Sequence, residues 1–107
     1  AYANTIFAAI HGATMLDSTI DGLGRGAGNC PTELLLGFLR NPKFKQRPII
    51  EAVEKLTLPL RETIDWGYSV PYMISGQMNQ HPRSAMALRE SDRKNEFIRF
   101  YDEMTAQ

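Results

Sequence analysis

Four glycines alternate through eight positions, 22–29, in the run DGLGRGAGNCPTELLLGF. An apolar helical pattern follows at once. Backbone dense in glycine can take positive φ and approach a ligand closely, but it cannot hold a regular element. The chain must therefore bring a tight loop to the start of a helix. A chain of 107 residues is enough for one domain at most.

The flanking patterns narrow the setting. Tyr2, Ile6, Phe7 and Ile10 recur at helical spacing, and Gly12 follows at a C-cap position. ATMLDSTI, residues 13–20, carries Met15, Leu16 and Ile20 among threonines and predicts a strand. Pro31 suits the first turn of the next helix, and Glu33 suits its positive end. Leu34, Leu35, Phe38 and Leu39 form the stripe expected to be buried. Residues 41–48 are a polar connection bounded by prolines. A further helix is expected over 49–64, with Ile50, Val53, Leu56, Leu60 and Ile64 inward and a kink or split at Pro59. DWGYSVPYMISGQMNQHP reads as irregular. A short helix is expected over 82–88, and Ser91 is placed to cap a last one that carries Phe97, Ile98, Phe100 and Tyr101. The fold class is mainly α with one short strand.

Lysine plus arginine equals aspartate plus glutamate, at 12 each, which gives no support to a nucleic-acid or anionic-membrane partner. No apolar run approaches the roughly 20 residues of a membrane span. One cysteine excludes an internal disulfide, and a cytoplasmic setting is the default. The opening, AYANTIFAAI, is already helical and lacks an initiator methionine, so the chain reads as a piece of a longer protein.

Several readings of the loop stand side by side. A phosphate loop of the Walker type needs lysine and a hydroxyl residue at its end, where Asn29, Cys30 and Pro31 stand. A dinucleotide loop fits Gly22, Gly24 and Ala27, with Glu51 as a ribose-binding acid. However, Pro31 delays the helix whose N-terminus would meet the pyrophosphate. The third reading is the last βα unit of a (β/α)₈ barrel, whose strand-end loops build the active site. A plain structural turn is the fourth.

DSTIDGLGRGAGNCPTE resembles the eighth-strand segment of the metal-dependent pyruvate aldolase and acyl-CoA lyase superfamily, which includes 4-hydroxy-2-oxovalerate aldolase, hydroxymethylglutaryl-CoA lyase and isopropylmalate synthase. WGYSVPYMISGQMNQHP is similar to the region after the barrel in the aldolase branch. The resemblance implies a C-terminal fragment: residues 1–45 as the last helix–strand–loop–helix portion of a barrel, and residues 46–107 as a helical tail. It implies a parent that cleaves or forms a carbon–carbon bond in a 2-oxo acid through a metal-bound enolate, with Mn, Mg or Co as the ion. It also implies Asn29 on the metal side, Gly22, Gly24, Arg25, Gly26 and Gly28 at the substrate loop, and Tyr68 or Tyr72 brought to the substrate. It further implies a possible partner dehydrogenase at the tail helices, as in some aldolases of this type.

The family's first-strand aspartate and arginine and its H-x-H pair have no counterpart here; the two histidines, His11 and His81, lie seventy positions apart. The isolated chain is therefore expected to be inactive and to retain no metal. Asp17 and Asp21 are expected to lock the loop through its backbone N–H groups rather than to meet a metal's outer shell, Cys30 to be buried, and Met73, Met78 and Met86 to pack. Exposed strand and helix faces predict a homo-oligomer. The other function class is a helical interaction or dimerisation module, and a dinucleotide-binding fragment is third.

Overall fold

A computed structural model describes residues 1–106. The chain is mainly helical and divides into two compact units, Ala1–Gly67 and Tyr68–Gln107.

In the first unit, α1 spans Tyr2–Ile10 and ends as the glycine implied. Gly12 takes φ +100°. Its N–H reaches the Ala9 carbonyl, and that of Ala13 reaches Ala8, which satisfies two terminal carbonyls in a Schellman arrangement. The expected strand over residues 13–20 does not form. Only Thr19 pairs, in an isolated parallel bridge with Pro31, because no other segment of the described residues offers a ladder. A 3₁₀ turn, Ile20–Gly22, leads into the glycine loop.

α2 covers Thr32–Leu39, with Pro31 just ahead of it and Glu33 in its first turn. Of the expected buried stripe, only Leu35 is covered; Leu34, Phe38 and Leu39 are 50%, 49% and 44% exposed. α3, Arg47–Ala52, runs through a π turn, Val53–Thr57, into α4, Leu58–Leu60. Pro59 neither splits nor ends this helix. The wider turn lies just ahead of it, where the Leu58 N–H bonds to the Val53 carbonyl five residues back. The inward pattern expected here is also partly overturned. Ile50, Leu56 and Ile64 are half or more exposed, while Val53 and Leu60 are half-buried.

In the second unit, the segment expected to be irregular contains α5, Val70–Gln77. Pro71 stands in its first turn, where its missing N–H leaves no gap in the helix. α6 spans Arg83–Arg89 and α7 spans Phe97–Thr105. Ser91 does not cap α7: its hydroxyl donates to the Leu88 carbonyl and accepts the Arg93 N–H, so it shapes the turn after α6. α5 packs on both α6 and α7. Ile74, Ala85, Phe100 and Met104 form the core, flanked by Val70, Tyr72, Met73, Met78 and Leu88. No helix among the described residues is long and apolar enough to cross a membrane.

Candidate functional site

The glycine loop is built by its own backbone. The Asn29 N–H reaches the Gly22 carbonyl at 2.9 Å, and the Gly28 N–H reaches the Arg25 carbonyl at 3.2 Å. Below them Thr19 donates to Cys30 and accepts from Thr32, at 3.0 and 2.8 Å. Ser18 and Thr32 join hydroxyls at 2.8 Å. The two closing glycines face each other. A Cβ on Gly28, at φ +81°, would lie 2.6 Å from the Gly22 carbonyl oxygen. A Cβ on Gly24 would collide with the Asn29 amide. Glycine is thus required at positions 22 and 28 by backbone packed on backbone, and at 24 by the Asn29 side chain.

Asn29 is exposed, and its Nδ2 donates to the Leu23 carbonyl at 3.0 Å, which leaves the amide oxygen as its one atom suited to a hard cation. No group of three or more His, Cys, Asp or Glu side chains that could hold a metal comes together among the described residues. A single amide oxygen is not a divalent-cation site, so the described side chains do not by themselves fit one. Arg25 is exposed and pairs with no carboxylate among the described residues. Nor do the N–H groups at positions 24–27 meet an acceptor there. Such a tip offers donors and positive charge to an anion. Cys30 is buried, its Sγ 3.9 Å from the Pro31 carbonyl.

Asp21 holds the loop in a way its sequence neighbours do not foretell. It adopts φ +57°, a left-handed conformation disfavoured for a residue with a Cβ. Its N–H donates to Glu33 Oε1 at 3.0 Å. Its carboxylate takes Arg61 Nε at 2.9 Å and a terminal nitrogen at 3.2 Å. Its carbonyl accepts Trp66 Nε1 at 2.9 Å. Arg61 also donates to the Trp66 carbonyl at 3.1 Å and lies over the indole, 4.2 Å from the ring centre. Trp66 is 3% exposed. The Arg61 hydrogen bond holds the Asp21 carboxyl below the usual carboxylate range, against the opposing effect of burial; the same bond raises the Arg61 guanidinium. Beyond Trp66, the Gly67 N–H closes on the Gly26 carbonyl at 3.2 Å.

The Asp21 carboxylate, expected to lock the loop through the loop's backbone N–H groups, takes Arg61 instead, and sequence reasoning missed both Arg61 and Trp66. They lie 40 and 45 positions away with no shared motif. Asp17 is exposed and has no part in this cluster. Tyr68 and Tyr72 belong to the second unit. Tyr68 is 77% exposed. Tyr72 packs against the core, with the Arg89 guanidinium 5.2 Å from its ring centre. His81 is exposed and accepts the Arg83 N–H on Nδ1, the pattern of a turn-forming histidine.

Known proteins share this chain's sequence over most of its length. It is 34% identical to a 4-hydroxy-2-oxovalerate aldolase of Thermomicrobium roseum, over 67% of this chain and 24% of that protein. The aldolase of the same name from Chloroflexus aurantiacus is 35% identical, over 65% of this chain and 24% of its own. That of Bacillus thuringiensis is 38% identical, over 63% and 22%. The chain resembles the 4-hydroxy-2-oxovalerate aldolases. It spans about a quarter of the length of these curated relatives. No family model and no solved structure matches it.

Proposed function

We propose that the chain is the C-terminal part of a (β/α)₈ aldolase that splits 4-hydroxy-2-oxo acids, and that its glycine loop edges the barrel mouth. The observation that carries this reading is the identity of about a third with proteins that bear that activity in their names. The fold is compatible with it. Residues 13–19 form no helix and pair only at Thr19, which is compatible with a barrel strand without its neighbours.

In the reaction, the bond between C3 and C4 breaks, the C4 hydroxyl gives up its proton, and C3 regains one to yield pyruvate and an aldehyde. A divalent cation, Mn, Mg or Co, would be held by residues outside this chain, since Asn29 alone cannot retain one. The loop glycines and Arg25 would face the acid, and Tyr68 or Tyr72 would exchange a proton with the substrate. The isolated chain is inactive on this reading. Its uncovered apolar side chains would meet the rest of the barrel or a second copy, and a partner dehydrogenase would meet the helical tail. The exposed α2 stripe also favours a second reading, a helical association module without catalysis.

Pyruvate release from 4-hydroxy-2-oxovalerate with added manganese is the test. The chain alone should show none, and the chain joined to its preceding coding sequence should show turnover. Turnover by the isolated chain that disappears in Asn29→Ala would overturn the assignment of the catalytic machinery elsewhere. An inactive complete protein would leave the association module.

A further inference from the structure

We infer that Arg61 is a positioning residue for the glycine loop: through Asp21 and Trp66 it holds the segment 61–67 as a clasp that sets where the loop tip stands. The inference rests on the reading that this loop edges the aldolase site.

Three features carry it. First, Arg61 meets acceptors on both parts it joins: the carboxylate of Asp21, at the root of the loop, and the carbonyl of Trp66. A planar guanidinium has five donors in a fixed fork, so one side chain can hold two backbone segments in register; an ammonium on a flexible stem cannot. Second, the clasp reaches the tip. The Gly67 N–H bonds to Gly26, and a Cβ on Gly28 would come within 3.4 Å of the Gly67 Cα. Third, Asp21 sits at φ +57°, a conformation that persists only when its surroundings impose it. The surroundings are Arg61 and Trp66 on one side, Glu33 on its N–H, and the Thr57 hydroxyl beside its carboxylate. Glu33 also faces Arg61 and favours its charge. Displacement of reacting groups by about 1 Å can slow a reaction on the order of a hundredfold, so a loop held this way is consequential well away from the chemistry.

Trp66 is the sole tryptophan, so its emission reports the clasp directly. In this chain, Arg61→Gln should shift emission to the red and raise acrylamide quenching severalfold while the far-ultraviolet helical signal stays. Arg61→Lys should behave like Arg61→Gln, because charge without the fork does not restore the clasp. Acidification should produce the same shift in the wild type. Asp21 gains its pairing above the ordinary carboxylate pKa, and that pairing is lost as pH falls through the depressed value. Asp21→Asn, which keeps the backbone carbonyl as an acceptor, should abolish the pH step; it also serves if Arg61→Gln unfolds. In the complete protein acting on 4-hydroxy-2-oxovalerate, Arg61→Lys should lower kcat about tenfold with KM within about twofold. Wild-type emission and kcat in Arg61→Lys would overturn the inference. A complete protein without aldolase activity would overturn the proposed function instead, and the Trp66 comparison would still decide the clasp.

Discussion

The helices of the second unit close on Phe100 and Met104, which are 5% and 6% exposed, and Ala85 is fully enclosed among them. In the first unit α2 buries Leu35 and leaves Phe38 half exposed, and α1 has no fully buried residue. Twelve of the fifteen large exposed apolar residues among those described fall before Tyr68. What fixes the first unit is instead polar: backbone bonds across the glycine loop and the Asp21–Arg61–Trp66 cluster. Such bonds contribute little net free energy each, because water competes for the same groups, but they are directional. The second unit therefore carries the makings of its own stability. The first carries a defined shape and an apolar surface that wants cover.

The largest effect that probes this contrast is Phe100→Ala. Removing a buried aromatic ring should cost about 3–5 kcal/mol, read from denaturant unfolding followed by circular dichroism. A loss below about 1 kcal/mol would mean that the second unit is not held by its own core. Next is Gly28→Val in the first unit. A β-branched residue at φ +81° that also meets the Gly22 carbonyl should cost about 1–3 kcal/mol. In the complete protein it should reduce turnover more than the thermal midpoint; unchanged kinetics would make the loop a mere connector. The smallest effect on stability is expected from Phe38→Ser, within about 0.5 kcal/mol, since the side chain is already half exposed. Its effect on association should be visible all the same. Sedimentation equilibrium at micromolar concentration should show self-association of the wild type, weakened in Phe38→Ser. A compact, cooperatively unfolding wild-type monomer would make the stripe ordinary surface.

Local signals in the sequence were legible where the structure is local. The end of α1 follows from Gly12, the start of α2 from Pro31 and Glu33, and α6 from its position after Pro82. The glycine loop was legible as a feature because a run so dense in glycine does not hold a helix or a strand. Misreadings arose where the outcome depends on distant parts of the chain. Residues 13–20 have strand composition, but a strand needs neighbours. The stripe of α2 has burial periodicity, but burial needs something to pack against. α5 was hidden by Gly76 and Pro71, although a proline in a first turn is compatible with a helix. The link from Asp21 to Arg61 spans 40 residues, and neither residue type is unusual, so nothing in the order of residues marks it.

The π turn at Val53–Thr57 has a further bearing on that link. An α-helix rotates about 100° per residue, and a π turn accommodates one residue more than the α spacing would. Everything beyond it is therefore rephased relative to α3. Thr57 ends that turn, and Arg61 follows one helical turn later, its N–H bonded to the Thr57 carbonyl. The same residues wound as an unbroken α-helix would swing the guanidinium round the helix axis by about the same 100°, whereas deleting one residue between 53 and 57 would remove the π turn and leave the guanidinium facing Asp21. The irregularity thus acts as an angular setting, with Arg61 as its pointer and Asp21 as the mark it meets.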